Sequence, residues 1–544
     1  MTSTCPNYIS DIVKFVNDTD GKFDSDDCII RSSNIGGIGV FAKNDIKKGT
    51  TLLKLHKSAI FSASNSSIAN LLQDDEIDGM LALNIAFIYE TTIFKDKSHW
   101  YPYLKTIIIN NDQLVLPPCF WDQNDKLLLK GTTLDTLYGA LEPQEELQEG
   151  FEIAIDLATK WNSDFDLPIP EDFFNLDVNN DNDVKLKFNR FVAQAFAISS
   201  RVFEIDNYHE SALVPIADLF NHHVTNPDLK FLSLFDVCDK CGEPGMCKHL
   251  IAEEMSNIDE ETLKVSKNEN TKPSTISLEL INELENEPIE ENEKEENGDD
   301  YVELELINDK LKDEEIFNSY GEMPNSFLFA RYGFCVNDNP LDIVDLSQQV
   351  VNFCKTDKTY VERSKWWKDV GYELFKAWRH LMQDDDEEHD NNCDSCEEGE
   401  HEHHGEEENR EHEHEDGCES CGEEEEEDDE DSQSWLSDMF LNYEGEMNEY
   451  FIGFIKTLNL KESIYKKLVD SSLTEEPNEK IIQLLESHLT HEDNKLIKQI
   501  ISAKKLPKVP ADSTGTSLSE EQIKCISILI QSESNIIKRT LDKL

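Results

Sequence analysis

The chain has 544 residues, of which 38% are hydrophobic and 30% are charged, and its formal net charge is −64. This length and apolar content suffice for two or three domains that each have a hydrophobic core. Because contacts to phosphates require Lys and Arg, so acidic a chain is not expected to bind nucleic acid directly, and a basic protein is a better candidate partner.

The sequence also predicts a cellular setting. It has no run of about 18 apolar residues, so neither a transmembrane helix nor a membrane partner is expected. The first residues, MTSTCPNYISDIVKF, lack the basic region and apolar core of a signal peptide. The 13 cysteines are an odd number in a chain that is not predicted to be secreted, which favours reduced thiols over a disulfide framework. A cytoplasmic or nuclear protein is therefore expected.

Short helix and strand patterns open the chain. Apolar residues at helical spacing predict a flanking helix within residues 1–25, and glycine-bounded runs from Cys28 predict a β-meander. The glycines of NIGGIGVFA lack the G-x-G-x-x-G spacing, and the residues after Gly39 are typical of a strand and a turn. A Rossmann-type site is therefore not expected, and these glycines either let a ligand approach the backbone or form a turn.

Helical periodicity follows. Asn70–Phe94 is predicted to be a largely buried helix, and WYPYL at 100–104 an aromatic-rich loop. Residues 111–200 are predicted to form a helical insertion, whose last helix ends next to Arg201. On sequence alone, Arg201 is interpreted as a surface arginine.

A short apolar run then leads into a polar cluster, in ALVPIADLFNHH at 212–223. Asp218, Asn221 and His222 follow the apolar residues. Because buried polar groups are costly unless they bond to the protein or to a ligand, this order favours delivery of these groups to a cleft. The alternative is a strand that ends in a turn with satisfied polar caps.

Residues 236–300 are predicted to be an insertion with two parts. The first part has a C-x2-C-x5-C-x-H cluster, made of Cys238, Cys241, Cys247 and His249. Thiolates and an imidazole at this spacing suit tetrahedral zinc, but the usual second C-x2-C pair at a longer interval is missing. A zinc site and a loop that merely carries thiols both remain open. The second part is rich in Glu and Asn and is expected to be disordered.

The segment EEIFNSYGEMPNSFLFARYGF at 314–334 predicts a strand, a turn and a helix. Tyr320 precedes a glycine that permits a sharp turn, and Tyr332 closes the helix. Phenol groups can orient an amine, and aromatic faces can hold a cationic or methylated ammonium. Either tyrosine alone would be interpreted as a core residue with a satisfied hydroxyl.

The remaining residues, 337–544, are predicted to form an all-α domain, since apolar residues recur at intervals of three and four. An acidic run at 384–433 interrupts the helices. Its low complexity and like-charge repulsion favour a disordered insertion over an ordered metal site. The potential metal ligands in this run are His389, His401, His403, His404, His412, His414, Cys393, Cys396, Cys418 and Cys421.

Three segments in this order resemble the SET-domain protein lysine methyltransferases of the Rubisco large-subunit methyltransferase type, which include the fungal ribosomal-protein lysine methyltransferases. These segments are GGIGVFAKNDIKKGTTLL, IADLFNHH and EIFNSYGEMPNSFLFARYGF. The resemblance covers residues 26–336. It implies an α+β fold, in which short β-sheets with a helical insertion form the SET domain and an all-α, substrate-binding domain follows. The cysteine-rich tail of many histone-directed relatives is not recognisable here.

The resemblance also implies site residues. Tyr320 matches the catalytic tyrosine that positions the methyl donor and the lysine amine, and Asp218 and Tyr332 match positions of the lysine channel. The residues implied to bind S-adenosylmethionine are Gly37, Ile38, Gly39, Arg201, Asn221, His222 and Tyr320.

The implied activity is S-adenosylmethionine-dependent methylation of a lysine in a basic protein, with a ribosomal protein as the expected substrate and a monomer as the expected state. Methyl transfer needs a neutral amine, whereas free lysine has a pKa of about 10.4. An apolar channel and a nearby sulfonium disfavour the ammonium form, so positioning and desolvation suffice and no catalytic metal is expected. The alternative is a SET-fold acidic interaction protein or chaperone for basic proteins without methyltransferase activity.

Overall fold

A computed structural model of the chain gives the architecture. The acidic insertion at 384–430, with its histidines and cysteines, and the Glu- and Asn-rich part of the earlier insertion lie outside the described residues. The structure describes residues 8–19, 21–109, 114–136, 141–243, 247–251, 301–380, 431–471, 479–512 and 514–544.

The chain divides into two compact units. The first comprises Met1–Lys126 and Ala140–Cys335, and the second comprises Leu127–Gly139 and Val336–Leu544. The second unit therefore includes a short segment from the predicted helical insertion. Within this unit, Thr133 N–H donates to Glu533 Oε1 (N···O 2.7 Å), a bond that joins positions 400 residues apart.

Short antiparallel strands form the sheets of both units. One sheet of the first unit has the strand order β1-β4-β8-β7, another has the order β2-β3-β9, and β5 pairs with β6. The alternation of buried and half-buried residues along β8 is typical of a strand with one face on a core. The strands are β1 Gly21–Phe23, β2 Cys28–Ser32, β3 Ile38–Ala42, β4 Thr51–His56, β5 Val202–Glu204, β6 Ser211–Leu213, β7 Leu229–Leu232, β8 Tyr301–Leu306, β9 Glu315–Ile316, β10 Val344–Asp345 and β11 Phe440–Leu441.

Helices make up most of the remaining regular structure, and no described helix has the length and apolar character needed to cross a membrane. Residues 372–380 are also helical. The helices are α1 Tyr8–Asp18, α2 Ala69–Asp74, α3 Gly79–Tyr89, α4 Tyr101–Leu104, α5 Gln123–Lys126, α6 Thr133–Thr136, α7 Glu145–Phe165, α8 Asp181–Ser199, α9 Asn325–Tyr332, α10 Ser347–Cys354, α11 Lys358–Trp366, α12 Glu449–Asn459, α13 Glu462–Ser471, α14 Glu479–Glu486, α15 His491–Ala503 and α16 Glu520–Lys543.

The predicted helix Asn70–Phe94 is divided into α2 and α3. Glu76 and Gly79 adopt positive φ values of 55° and 58°, a conformation that a right-handed helix does not tolerate. The part after the break is buried almost all round, from Ala82 to Tyr89, which explains why it lacks the polar face of a surface helix.

The predicted α+β architecture with a helical C-terminal region is confirmed. Four helices of the second unit begin at side-chain caps, at Asp357, Asn448, Thr490 and Ser519, and the last two are reciprocal capping boxes. The pair β10–β11 adds a small antiparallel element that helical periodicity did not predict. It forms because Val344 and Leu441, which are opposite each other, are both fully buried in the core of this unit.

Candidate active site

Two segments distant in sequence, residues 220–223 and 317–321, run side by side in the first unit. Asn318 N–H donates to the Asn221 carbonyl (N···O 2.8 Å), and His223 N–H donates to the Asn318 carbonyl (2.9 Å). A parallel bridge joins His222 to Asn318. These backbone bonds fix the Asn-His pair relative to the tyrosine-bearing turn.

The Asn221 side chain adds the glycine-rich segment to this pairing. Its Nδ2 donates to the Ile38 carbonyl at 3.0 Å and to Glu315 Oε1 at 2.7 Å. A Cβ at Gly39 would overlap Glu315 Oε1 and lie 2.9 Å from Asn221 Nδ2. Glycine is therefore required where β3 meets the Asn221 side chain.

The turn before β3 has a different character. Gly37 has a φ of +57°, which favours glycine, and no described atom lies within 4 Å of a Cβ built there. The backbone of this turn is thus accessible to a ligand at Gly37.

His222 is a buried imidazole with one bonded nitrogen. Only 6% of the residue is exposed, and its Nδ1 accepts the Tyr320 N–H at 3.0 Å. This bond places the proton of the neutral ring on Nε2, which has no hydrogen-bond partner among the residues that the structure describes. Burial, helped by the neighbouring His223, lowers the pKa of His222 to about 4, so the ring is neutral at physiological pH.

Tyr320 is held at both its backbone and its hydroxyl. The hydroxyl donates to the Phe220 carbonyl at 3.1 Å. Burial raises the pKa of Tyr320 to about 12, so its phenol stays protonated at physiological pH. The side chain can therefore orient a polar group but is not a base under these conditions.

Aromatic rings surround Tyr320. Its ring stacks on His222 with 5.1 Å between centroids, and Tyr332 lies 5.0 Å away on a tilted plane. The rings of Phe334 and Tyr320 are nearly perpendicular, with 6.1 Å between their centroids. The Tyr332 hydroxyl donates to the Tyr320 carbonyl at 3.3 Å, which ties the end of α9 to the turn before it.

An ion pair lies beside this aromatic cluster. Arg201 Nη1 and Asp218 Oδ2 are 3.2 Å apart, and the Asp218 side chain is only 2% exposed whereas that of Arg201 is 40% exposed. Burial raises the pKa of Asp218 although Arg201 opposes the shift. Burial is the main cause of the raised pKa of Tyr320, and Arg201 opposes this shift whereas Asp218 adds to it.

The backbone that presents Asp218 is strained. Ile216, a fully buried β-branched residue, has a φ of +73°. L residues with branched side chains rarely adopt this conformation, which costs about 1–3 kcal/mol and is concentrated at functional sites. The surrounding fold thus forces a turn that the local sequence does not favour.

Tyr103, from the predicted aromatic loop, is a site residue that the sequence interpretation missed. Burial, and after it the Asp218 carboxylate, raise the pKa of Tyr103. Tyr103 Oη and Asp218 Oδ1 are both buried, and neither makes a hydrogen bond of regular geometry among the described residues, although the two side chains are close enough to interact with each other. Buried polar groups that are paired this loosely suit a ligand site, because burial without well-formed hydrogen bonds is costly. The run WYPYL contains no spacing that would have singled out this one tyrosine.

The structure thus brings most of the predicted site residues together. Gly39, Asn221, His222, Tyr320 and Tyr332 are linked by hydrogen bonds or ring contacts, and the ion pair acts on Tyr320. Glu315, Phe334 and Tyr103 join them as residues that the sequence did not indicate. The cluster offers buried neutral donors, aromatic walls and a single buried carboxylate, which suits binding of a cation in a dry channel.

The Cys238, Cys241, Cys247 and His249 cluster also assembles. One ligand atom from each residue lies within 4.8 Å of the others. The sequence left a zinc site and a thiol-bearing loop open for these residues.

The chain resembles known proteins along its whole length. It is 45% identical, over 569 aligned residues that cover 100% of both chains, to ribosomal lysine N-methyltransferase 3 of Saccharomyces cerevisiae. It is also 26% identical over 320 residues, 55% of this chain and 60% of the relative, to ribosomal lysine N-methyltransferase 4 of Schizosaccharomyces pombe.

One solved structure found by comparison is the SET domain of LSMT bound to lysine and AdoHcy. It aligns with a TM-score of 0.44 and 12% identity, and the alignment covers 98% of this chain and 90% of that one. A scan against protein-family models finds no match.

Proposed function

This chain belongs to the family of ribosomal lysine N-methyltransferases, and on that premise we propose that it transfers a methyl group from S-adenosylmethionine to a lysine of a ribosomal protein. The observation that carries the proposal is the full-length relationship combined with the convergence of Asn221, His222 and Tyr320 in one buried cluster. The acidic interaction protein without activity is the second candidate. An interaction protein without methyltransferase activity would not require Asn221, His222 and Tyr320 to lie in one buried cluster.

The residues present suit S-adenosylmethionine. The Nε2–H of His222, which lacks a partner among the described residues, offers a buried donor. The turn has open space at Gly37, whereas a side chain at Gly39 would overlap Glu315 Oε1. In the proposed site, the backbone at Gly37–Gly39, the side chains of Arg201 and Tyr320, and the Asn221–His222 pair hold the cofactor. When bound, S-adenosylmethionine supplies a sulfonium methyl group.

The lysine channel is proposed to be walled by the adjoining rings of Tyr320 and Tyr332. Their rings exclude water from the amine, and because the low-polarity surroundings disfavour an ammonium ion, the pKa of the incoming lysine falls towards the neutral, nucleophilic form. The Tyr320 phenol stays protonated and orients the reacting groups. Asp218 and Tyr103 contribute acceptor oxygens that align the amine as it enters.

The remaining features of the proposal concern partners and location. The net charge of −64 favours approach by a basic protein rather than by nucleic acid, and ribosomal proteins are strongly basic partners of this kind. We assign substrate binding to the second, mainly helical unit. The protein is proposed to act as a monomer in the cytoplasm or the nucleus, where ribosomal proteins are made and assembled.

The test is a methyl-transfer assay with the full-length chain. Labelled S-adenosylmethionine is supplied with ribosomes from cells that lack this protein, beside a Tyr320→Phe variant. One labelled ribosomal protein, absent with the variant, is the expected result. Label on translation factors or histones but not on ribosomes would refute the proposed ribosomal substrate and would still support the proposed methyltransferase activity. No label on any basic protein, together with no cofactor binding by calorimetry, would overturn the activity itself.

A further inference from the structure

The segment after β7 carries a side-chain cluster that methyl transfer does not use. Cys238 Sγ lies 3.7 Å from His249 Nδ1, and Cys247 Sγ lies 4.0 Å from the same nitrogen. Cys241 completes the group, and all four ligand atoms are within 4.8 Å of one another. All four residues are described, and the three cysteines are free thiols rather than disulfides.

These separations match a tetrahedral zinc shell. Zinc binds thiolate sulfur at about 2.3 Å and imidazole nitrogen at about 2.0–2.1 Å, so neighbouring ligands of a tetrahedron are about 3.5–3.8 Å apart. The sulfur-to-nitrogen distances for Cys238 and Cys247 lie at or just above this range. Since all four ligand atoms lie within 4.8 Å of one another, a contraction of at most about 1 Å closes the shell on an ion.

The backbone between the first two cysteines is already turned for metal binding. The Cys238 carbonyl accepts the Gly242 N–H at 2.8 Å, and Gly242 has a φ of +72°. A Cβ at Gly242 would lie 2.8 Å from a ring carbon of Tyr208, so glycine is required there for two reasons. This Cys-x2-Cys-Gly turn points both sulfurs to one side.

The cluster is anchored to the sheet-bearing unit. Lys57 Nζ donates to Asp206 Oδ2 at 2.6 Å and to the Leu234 carbonyl at 2.8 Å, and both charged side chains are buried. Asn207 N–H donates to the Phe235 carbonyl at 3.3 Å. The chain from β7 to Cys238 is therefore held in place. On the other side of the cluster, Ile251 N–H donates to the Cys247 carbonyl at 3.0 Å, which places Cys247 and His249 on one helical turn.

We propose that Cys238, Cys241, Cys247 and His249 bind one structural zinc ion. Three thiolates and one imidazole fill a tetrahedral shell and leave no position for a substrate or a reactive water, so the ion has no part in methyl transfer. Its role is to fasten the beginning of the long insertion to the end of β7, before the chain returns as β8. An oxidising disulfide is the poorer explanation, because it would not recruit His249.

The first experiment measures zinc bound to the full-length chain, purified without a histidine tag and dialysed against a mild chelator. About one zinc per chain is expected, and Cys241→Ser should lose it. Because the Cys241 side chain is exposed, this variant is expected to fold. The matched control is the Cys393→Ser/Cys396→Ser double variant in the acidic run, which should keep the ion. An unmodified chain without zinc, or loss of zinc in the control pair but not in Cys241→Ser, would overturn the proposal.

The second experiment tests the histidine ligand by cobalt substitution. His249→Ala should weaken metal binding at least tenfold, whereas His249→Cys should restore it with a four-sulfur charge-transfer spectrum. If His249→Ala keeps both the affinity and the spectrum of the unmodified chain, His249 is not a ligand and the four-residue site is wrong.

Discussion

Two clusters of polar residues in the first unit differ in what holds them together. In the aromatic site, backbone bonds between the 220–223 and 317–321 segments and the Asn221 side chain fix the geometry without any ligand. In the cysteine cluster, His249 Nδ1 lies 3.7 Å from Cys238 Sγ and 4.0 Å from Cys247 Sγ, and the four ligand atoms lie within 4.8 Å of one another. A site that works by positioning is built to be rigid before its ligand arrives, whereas a structural metal site is completed by the ion itself.

Replacing Tyr320 by Phe is expected to have the largest effect, because it tests whether the pre-formed aromatic site works by positioning. The variant loses the hydroxyl that donates to the Phe220 carbonyl but keeps the ring stacked on His222. We expect methyl transfer to fall about 100-fold, since positioning is the main contribution to this reaction, with little change in melting temperature. Initial rates with saturating substrate measure the effect.

The matched control is Tyr332→Phe. Among the residues that the structure describes, the Tyr332 hydroxyl bonds only to the Tyr320 carbonyl, so a smaller loss of rate is expected. Equal rates for Tyr320→Phe and the unmodified enzyme would show that this hydroxyl does not position the reactants.

Acid should weaken the site through His222. Its pKa is about 4 in the folded protein against 6.5 for the free side chain, so the unfolded chain takes up the proton first as the pH falls. The stabilisation is therefore present above pH 6.5 and is lost between pH 6.5 and 4. From pH 7 to pH 5 we expect a loss of about 2 kcal/mol in the free energy of unfolding attributable to this residue.

Denaturant unfolding of the unmodified protein and of His222→Asn at both pH values measures this contribution. The variant lacks the titrating ring, so its stability should change less with pH. Parallel pH profiles for the two proteins would contradict the assignment of a buried neutral imidazole.

A methyl group at Gly39 should loosen the junction between β3 and Asn221. Since the added Cβ would overlap Glu315 Oε1 and crowd Asn221 Nδ2, one of these side chains must move. We expect S-adenosylmethionine to bind about tenfold more weakly to Gly39→Ala, a loss of about 1.4 kcal/mol measurable by calorimetry. Gly150→Ala, in which the Cβ meets only the flexible Leu81 side chain, is the control and should bind the cofactor normally.

The smallest effect on catalysis is predicted for removal of zinc. Cys241→Ser should lose the ion and become more sensitive to protease near the cysteine cluster, yet its rate on substrate should stay within about twofold of the unmodified enzyme. Limited proteolysis and rate measurements on the same sample separate the two properties. A large loss of rate together with normal melting would assign the ion a catalytic role that its closed shell does not allow.

The sequence identified the parts of the site that depend on local patterns. The glycine-rich turn, the Asn-His pair and the tyrosine before Gly321 each stand in a distinctive run, and their common order predicted the family. Tyr103 was not predictable, because the run at 100–104, where a loop was predicted and the structure has the single-turn helix α4, is too short to show periodicity. This tyrosine contributes only through its position in the folded chain. Glu315 was not predictable for the same reason. Its carboxylate accepts hydrogen bonds from Asn221 and Ser33, which belong to other segments of the chain.

Long-range pairing explains the other differences. No local signal assigns Leu127–Gly139 to the second unit, where Thr133 meets Glu533. The break between α2 and α3 depends on the positive φ of Glu76, a residue with no sequence preference for it. For the cysteine cluster, the sequence supplied the ligand types, but whether Cys247 and His249 return to the first two cysteines is a property of the folded loop.

The most direct test of the proposed site is a structure of the full chain with S-adenosylhomocysteine bound. The ligand is expected beside the Gly37–Gly39 turn, with one of its polar atoms about 3 Å from His222 Nε2. If the ligand binds elsewhere, or fails to bind at saturating concentration while the Asn221 and Tyr320 contacts are intact, the methyltransferase site proposed for this cluster is wrong.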